Sequence, residues 1–387
     1  MPQSSVTILT SRMSIPDELT TPALLLDVDR MQHNIDRMQQ RLGALGVPLR
    51  PHVKTCKSIE IGRRMLGPDS PGITVSSLAE AEQFLEAGIV DQIYAVGIGP
   101  GKLEAVANLM ARGAKLAIVL DHGDAAGAVA DAARANECRY RVLLEIDADG
   151  KRAGLGPSDP ALIELARIVT AAGCELAGVL THMGGSYGCR GEQALIEAAE
   201  TERRAAVIAA ERLRRAGHAC PIVSVGSTPT AAFARNLNGV TEVRAGTHVF
   251  MDRVMAGLGV CTEDDIAISV LTEVIGYRAS AGEWLIDAGW TALTADPGLG
   301  GSDFGYGRVC DAAGVPLDGL VVRATNQEHG IIAAADGPAP GPDRFRIGQR
   351  LRILPNHACA TAAQFDRYQP IGAKYSSGEF WTRFRGW

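Results

Sequence analysis

GITVSSLAEAEQFLEAGIVDQIYAVG, residues 72–97, carries one complete unit of the pattern that runs through this chain. A short β-branched run, ITV, gives way to a segment with helical spacing, LAEAEQFLEAG, and then to a second aliphatic run, QIYAVG. Strand, helix, strand at this spacing predicts parallel neighbours, because two parallel strands need a long, right-handed connection between them.

The unit repeats. ALLLD (23–27), VPLRPHVK (47–54), GITVSS (72–77), QIYAVG (92–97), KLAIVLD (115–121), YRVLLEID (140–147), ELAGVLTH (175–182), PIVSVGS (221–227) and TEVRAG (241–246) all read as strands. Helical stretches fill the gaps: Met31, Ile35, Met38 and Leu42 fall on one helical face after the first strand. EQALIEAAETERRAAVIAAERLRRAG fills the longest gap. Nine strands are one more than an eight-stranded α/β barrel uses, and a doubly wound open sheet fits the alternation as well.

After about residue 262 the texture changes. AISVLTEVIGYR, EWLIDAGWTALT, GLVVRATNQEHGIIAA and RFRIGQRLRILPNHACA read as strands separated by Gly, Pro and Asp turns, and helical spacing nearly vanishes. A separate antiparallel β domain is expected, with its boundary between residues 255 and 265.

Composition narrows the function classes. A chain of 387 residues with 46% hydrophobic and 21% charged residues is ordinary for a globular protein with a large core. A net charge of -6 offers no basic face for nucleic acid. Eight cysteines without a CxxC pair suit a reducing compartment. No apolar run reaches the roughly 18 residues of a spanning helix, and MPQSSVTILTSRMS lacks the basic start of a secretory signal. A cytoplasmic protein with no membrane partner is the expectation.

Barrel enzymes build their sites where strand C-terminal ends meet loops, and residues with chemistry gather there. Lys54 follows the second strand, and Glu145, Asp147 and Arg152 lie in LLEIDADGKRAG after the sixth. His182 and Tyr187 lie in THMGGSYG after the seventh, Gly226, Ser227 and Thr228 close the eighth, and Arg244 with Gly246 closes the ninth. Each has a plain structural alternative: a solvated lysine, a core histidine, an arginine paired with Asp147, a turn and its N-cap. GSTP at a helix start also offers N–H groups and hydroxyls to a phosphate. In PNHACA, His357 and Cys359 stand at i and i+2, which on an extended strand share one face and can reach a single cation. Imidazole plus thiolate suits zinc, while a structural cysteine beside an unrelated histidine fits the same residues.

RPHVKTCKS, EIDADGKRAG, LTHMGGSYG, SVGSTPT, VRAG, DAGW, DFGYG, NQEHG and ILPNHACA occur in that order from near residue 20 to the terminal GW. The ordered set resembles the D-threo-3-hydroxyaspartate dehydratases, grouped with D-serine dehydratases and D-threonine aldolases among the alanine-racemase-type pyridoxal phosphate enzymes. The resemblance implies an eight-stranded α/β barrel over residues 28–260 and a β domain over 261–387 that carries the metal pair. The N-terminal arm, 1–27, would lend its strand ALLLD to the β domain. Lys54 would be the Schiff-base lysine, Arg152 would approach the phenolic oxygen of pyridoxal 5'-phosphate, and His182 would lie against its ring. Tyr187 and Arg244 would complete the cofactor site, with the phosphate on Gly226, Ser227 and Thr228 and on the backbone around Gly246 and Thr247. His357 and Cys359 would bind a divalent metal: zinc, manganese, magnesium or cobalt.

Three positions depart from the wider group's pattern. His248 stands where relatives usually have tyrosine, Cys359 stands where the aldolases carry aspartate, and Ala288 replaces the second catalytic tyrosine of the racemases. The implied reaction is loss of water from a D-3-hydroxyamino acid, with the Lys54 amine as base and the metal assisting the departing hydroxide. D-threo-3-hydroxyaspartate would give oxaloacetate and ammonia. D-threonine aldolase or D-serine dehydratase activity is the alternative on this scaffold, and a non-catalytic cofactor carrier is a third. A homodimer is implied by the resemblance, and Lys57 is expected to be a surface residue.

Overall fold

The computed structural model describes residues 18–298, 304–372, 375 and 379–387. Most of the expected N-terminal arm, residues 1–17, and Asp303 of DFGYG lie outside the described residues. The chain forms two compact units. One holds Gln32–Asp265 with Arg383–Trp387, and the other holds residues up to Met31 with Ile266–Thr382.

In the opening unit of sequence, Ile73, Thr74 and Val75 are fully buried as a strand. Ser77 then caps the helix Leu78–Glu86, its hydroxyl accepting the Glu80 N–H at 3.2 Å, and Ala81 and Phe84 turn inward. Gly88, at φ +85°, ends the helix where a side chain would be strained.

The strands are β1 (Ala23–Asp27), β2 (Leu49–Pro51), β3 (Ile73–Val75), β4 (Asp91–Gly97), β5 (Lys115–Leu120), β6 (Arg141–Ile146), β7 (Glu175–Thr181), β8 (Ile222–Val225) and β9 (Glu242–Ala245). From β2 to β9 they form one parallel sheet in the order β2-β9-β8-β7-β6-β5-β4-β3. Its two ends meet through a bridge between His52 and Thr74, backed by the Val53 N–H donating to Thr74 O at 2.9 Å. That closure makes an eight-stranded α/β barrel and excludes the open doubly wound sheet. A buried apolar cluster of Ile93, Ala117, Val119, Leu143, Ala177 and Leu180 ties β4 through β7 together.

The barrel also buries charge. Arg50, 2% exposed, donates from Nε to Glu242 and from Nη1 to Asp91, both at 2.8 Å. Glu242 in turn accepts from Ser224 Oγ at 2.6 Å, and Ser224 accepts from Arg244 at 2.7 Å. The chain of contacts runs from Arg50 of the RPHVKT segment to Arg244 on β9.

The second unit is a nine-stranded sheet of β1 with β10 (Ile268–Arg278), β11 (Glu283–Ile286), β12 (Arg308–Cys310), β13 (Pro316–Thr325), β14 (Gly330–Ala334), β15 (Arg350–Leu354), β16 (Arg367–Ile371) and β17 (Trp381–Thr382). Its order is β11-β14-β13-β12-β15-β10-β1-β16-β17, and β11 also pairs with β10, so six strands close on themselves. β1 lies between β10, antiparallel, and β16, parallel. No helix among the described residues is long and apolar enough to cross a membrane.

Three expectations need correction. The segment PNHACA is not extended: β15 stops at Leu354, His357 is an N-cap, and Ala358–Ala362 is a short helix. The i, i+2 argument for a shared strand face therefore does not apply: His357, still extended at φ -132° and ψ 104°, caps the helix, and Cys359 lies in its first turn. A second short helix, Trp290–Leu293, likewise interrupts the run EWLIDAGWTALT. Lys57 is not a surface residue either: its side chain is 16% exposed and pairs at 3.0 Å with the fully buried Glu80.

Candidate active site

β2, β6, β7, β8 and β9 end around one cavity, which the loops that follow them line. Lys54, Arg152, His182, Tyr187, Gly226, Ser227, Thr228, Arg244, Gly246 and Thr247 all border it. Glu145 does so too, as does His52, which the sequence did not single out. Asp147 turns back into its own loop, accepting the N–H groups of Asp149 and Gly150 at 3.0 and 2.7 Å.

Lys54 comes three residues after β2, on backbone pinned by the barrel-closing bridge at His52. Its N–H lies 3.5 Å from His52 Nδ1. Burial, with Lys54, Arg244 and His182 nearby, holds the His52 imidazole well below its ordinary pKa. His182 is also kept neutral: burial pushes it down to about 4, and its Nδ1 donates to Gly226 O at 3.1 Å. The carbonyl accepts only, so the tautomer is fixed and Nε2 carries no proton. The Tyr187 ring stands 6.5 Å from the His182 ring at 48°.

Arg244 is 4% exposed, anchored on Ser224 Oγ and on Thr181 O at 2.5 Å. Glu145 has its carboxyl raised, by burial first and then by Asp121, against the lowering pull of Arg244 and Arg152. Two neutral imidazoles, two arginines and a partly buried carboxyl thus line the cavity with the lysine.

Two glycines bring the backbone close. A Cβ on Gly226, at φ +134°, would sit 2.2 Å from Arg244 O. A Cβ on Gly246 would sit 2.8 Å from His52 O and 3.0 Å from Thr55 Oγ1. Only glycine lets these two loops meet at the cavity floor. Ser227 is turned to building that floor: its N–H donates to Thr230 Oγ1 at 3.0 Å, and its Oγ takes the Thr230 N–H at 3.2 Å and contacts Ser186 Oγ at 3.1 Å. The helix it caps, Thr228–Phe233, has only six residues, so its dipole adds little.

Behind the floor lies Glu202, 1% exposed, which sequence reasoning missed. Its carboxylate accepts the Met183 N–H at 2.8 Å. It also accepts from Thr230 and the Gly226 backbone, and burial raises its pKa against these contacts. One carboxylate thereby ties the THMGG loop to the GST segment. It sits in a helix rich in solvated acids, so nothing in the sequence distinguishes it.

The arrangement fits a phosphorylated pyridine aldehyde. It has an amine for the carbonyl, a flat neutral imidazole, cationic guanidinium groups, and a glycine-lined floor that a Cβ would fill. His357 and Cys359, the expected metal ligands, are in the other unit. His357 Nδ1 contacts Asp296 Oδ2 at 2.6 Å. Burial opposes ionisation of Asp296, yet hydrogen bonds from His357 and the Gly298 N–H leave its carboxyl below the ordinary range. Among the described residues no group of three or more His, Cys, Asp or Glu could hold a metal ion. Two protein donors, one an imidazole oriented by a carboxylate, fit an open site completed by other oxygen ligands and do not fit a closed structural one.

Two family models cover most of the chain: alanine racemase, N-terminal domain, over residues 26–254, and a putative serine dehydratase domain over residues 267–371. The chain is 50% identical over 374 residues to D-threo-3-hydroxyaspartate dehydratase of Delftia sp. (strain HT23), covering 95% of this chain and 98% of that protein. It is 31% identical over 351 residues to a D-threonine aldolase of Arthrobacter sp, covering 88% and 86%. The solved D-threo-3-hydroxyaspartate dehydratase from Delftia sp. HT23 superposes with a TM-score of 0.93 at 50% identity, covering 96% of this chain and 99% of that one. A cysteine-to-alanine mutant of D-threo-3-hydroxyaspartate dehydratase has been solved in a metal-free form. This chain belongs to the alanine-racemase-type family, in the group that joins that family's N-terminal domain to a serine dehydratase domain.

Proposed function

We propose that this chain is a pyridoxal-phosphate-dependent, metal-assisted dehydratase that converts D-threo-3-hydroxyaspartate to oxaloacetate and ammonia. The observation that carries the reading is the convergence of Lys54, Arg152, His182, Tyr187 and the Gly226 and Gly246 loops on one cavity. It occurs in a chain that matches a D-threo-3-hydroxyaspartate dehydratase along nearly its whole length.

Pyridoxal phosphate, when bound, supplies an electron sink for the carbanion left at Cα. Lys54 provides the amine that holds it and the base that takes the Cα proton. His182, neutral because it is buried, offers the face of its ring, and its bond to Gly226 O keeps that ring from turning. Arg152 and Arg244 bring positive charge to the cavity, and Thr228, Gly246 and Thr247 supply hydroxyl and backbone groups for a phosphate. His357 and Cys359 would hold the divalent cation, a Lewis acid for an oxygen leaving group. Loss of the Cα proton and the β-hydroxyl removes water, and hydrolysis of the resulting enamine through its imine returns it and releases ammonia. The reading carries with it a cytoplasmic homodimer.

The test is to incubate the cofactor-loaded protein with D-threo- and L-threo-3-hydroxyaspartate, D-serine and D-threonine. The expected result is oxaloacetate and ammonia from the D-threo isomer. Lys54→Ala should lose both the cofactor's visible absorbance and turnover. Glycine and acetaldehyde from D-threonine, without oxo acid from any substrate, would replace the reading by an aldolase. Absence of turnover in a cofactor-binding protein would leave only the carrier.

A further inference from the structure

We propose that Asp296 is the positioning carboxylate of the metal site, setting the tautomer and the direction of His357. The inference rests on the reading of His357 and Cys359 as metal ligands and adds a residue that the sequence motifs did not reveal.

The contact is short and held at both ends. Asp296 Oδ2 lies 2.6 Å from His357 Nδ1, while Asp296 Oδ1 accepts the Gly298 N–H at 2.8 Å. An ionised carboxylate accepts only, so Nδ1 carries the proton and coordination falls to Nε2. A carboxylate on the far nitrogen also makes the imidazole a stronger donor.

The two segments that meet here are locked independently of that contact. Thr361, fully buried in the short helix after His357, donates to Leu293 O at 3.0 Å. Asn356, 3% exposed, gives its amide Nδ2 to Pro297 O at 3.1 Å and to Gly305 O at 2.7 Å. The histidine therefore has buried ties on both sides, at i-1 and i+4, that fasten its backbone to the loop bearing Asp296. A surface ion pair formed by chance lacks such a frame. This one has the form of a preorganised ligand, in which the direction of the imidazole is set before a cation arrives.

Zinc affinity of the full-length, cofactor-loaded protein, read by competition with a chromophoric chelator, tests the inference without reference to turnover. Asp296→Ala should weaken zinc by about 10- to 100-fold. Asp296→Asn, which keeps an acceptor but loses the charge, should show a smaller loss in the same direction. The cofactor absorbance and the unfolding midpoint in chelator should stay at wild-type values in both. If Asp296→Ala fails to fold, Asp296→Asn decides. Zinc affinity unchanged in the Asp296 variants, but lost in His357→Ala, would overturn the inference and leave the metal reading standing. Wild-type zinc binding indifferent to His357→Ala would remove the metal reading, and the inference with it.

Discussion

His248 is fully buried, and among the described residues neither ring nitrogen has a hydrogen-bond partner. Its backbone N–H donates to Thr228 Oγ1 at 3.2 Å, so the residue backs the GST segment. Burial, helped by nearby Arg37, drives its pKa down to about 3. An unfolded chain protonates this histidine near its ordinary value of about 6.5. Below that pH the unfolded state binds a proton that the folded state refuses. Stability from this residue is therefore intact above about pH 6.5 and drains away as the pH falls towards 3, by up to about 1.4 kcal/mol per pH unit. His248→Phe removes the titration and two unpaired polar atoms together. Urea midpoints at pH 7 and pH 5 should lie closer together in the variant than in the wild type, the remaining gap belonging to other buried groups such as His52 and His182; equal separation in both would show that His248 does not carry the acid sensitivity.

At the scale of elements, the barrel depends on a buried ion pair as well as on apolar packing. Arg50 on β2 neutralises Glu242 on β9, both nearly inaccessible, at the point where those strands pair. Arg50→Met should cost about 3–5 kcal/mol, because it leaves Glu242 buried without its partner. Arg50→Met with Glu242→Met should recover part of that loss, although Ser224 and Arg244 then lose an acceptor. Denaturant unfolding of the three proteins decides it, and a double variant no better than the single one would mean the pair is not the unit of stability. Such long-range ties are what the sequence conceals. The strands of the barrel were legible because their burial writes continuous apolar runs: KLAIVLD and ELAGVLTH match β5 and β7 to within one residue. The cavity-lining positions were legible because barrel sites sit at strand ends. The helix after His357 was not, since five residues are too few to show a period, and Thr361 holds it by a tertiary bond to Leu293. Asp296 and Glu202 stayed hidden for the same reason: each acts on a segment far along the chain, through contacts that leave no local pattern.

Over the whole molecule the chain leaves the β unit after its first strand and returns to it more than two hundred residues later. β1 is an interior strand of that sheet. Leu24, Leu25 and Leu26 are buried, four residue pairs join it to β10, and three join it to β16. Leu25 also packs in one apolar cluster with Leu271 and Ile371, one from each neighbour. Its parallel pairing with β16 closes the longest loop of any strand pairing among the described residues, and such contacts form late and slowly. Removing β1 would leave β10 and β16 with facing rows of unpaired N–H and C=O groups and an uncovered apolar strip. Neither edge is then shielded in the ways natural sheets use against association. Deleting residues 1–27 should therefore send the protein to aggregates, while the barrel strands β2 to β9, which exchange no sheet hydrogen bonds with β1, keep their own pairing. Light scattering and the soluble fraction after expression measure the first effect. Limited proteolysis of the soluble remainder, with a surviving fragment near residues 32–265, measures the second. A soluble, monodisperse truncation would show that the sheet closes without its first strand.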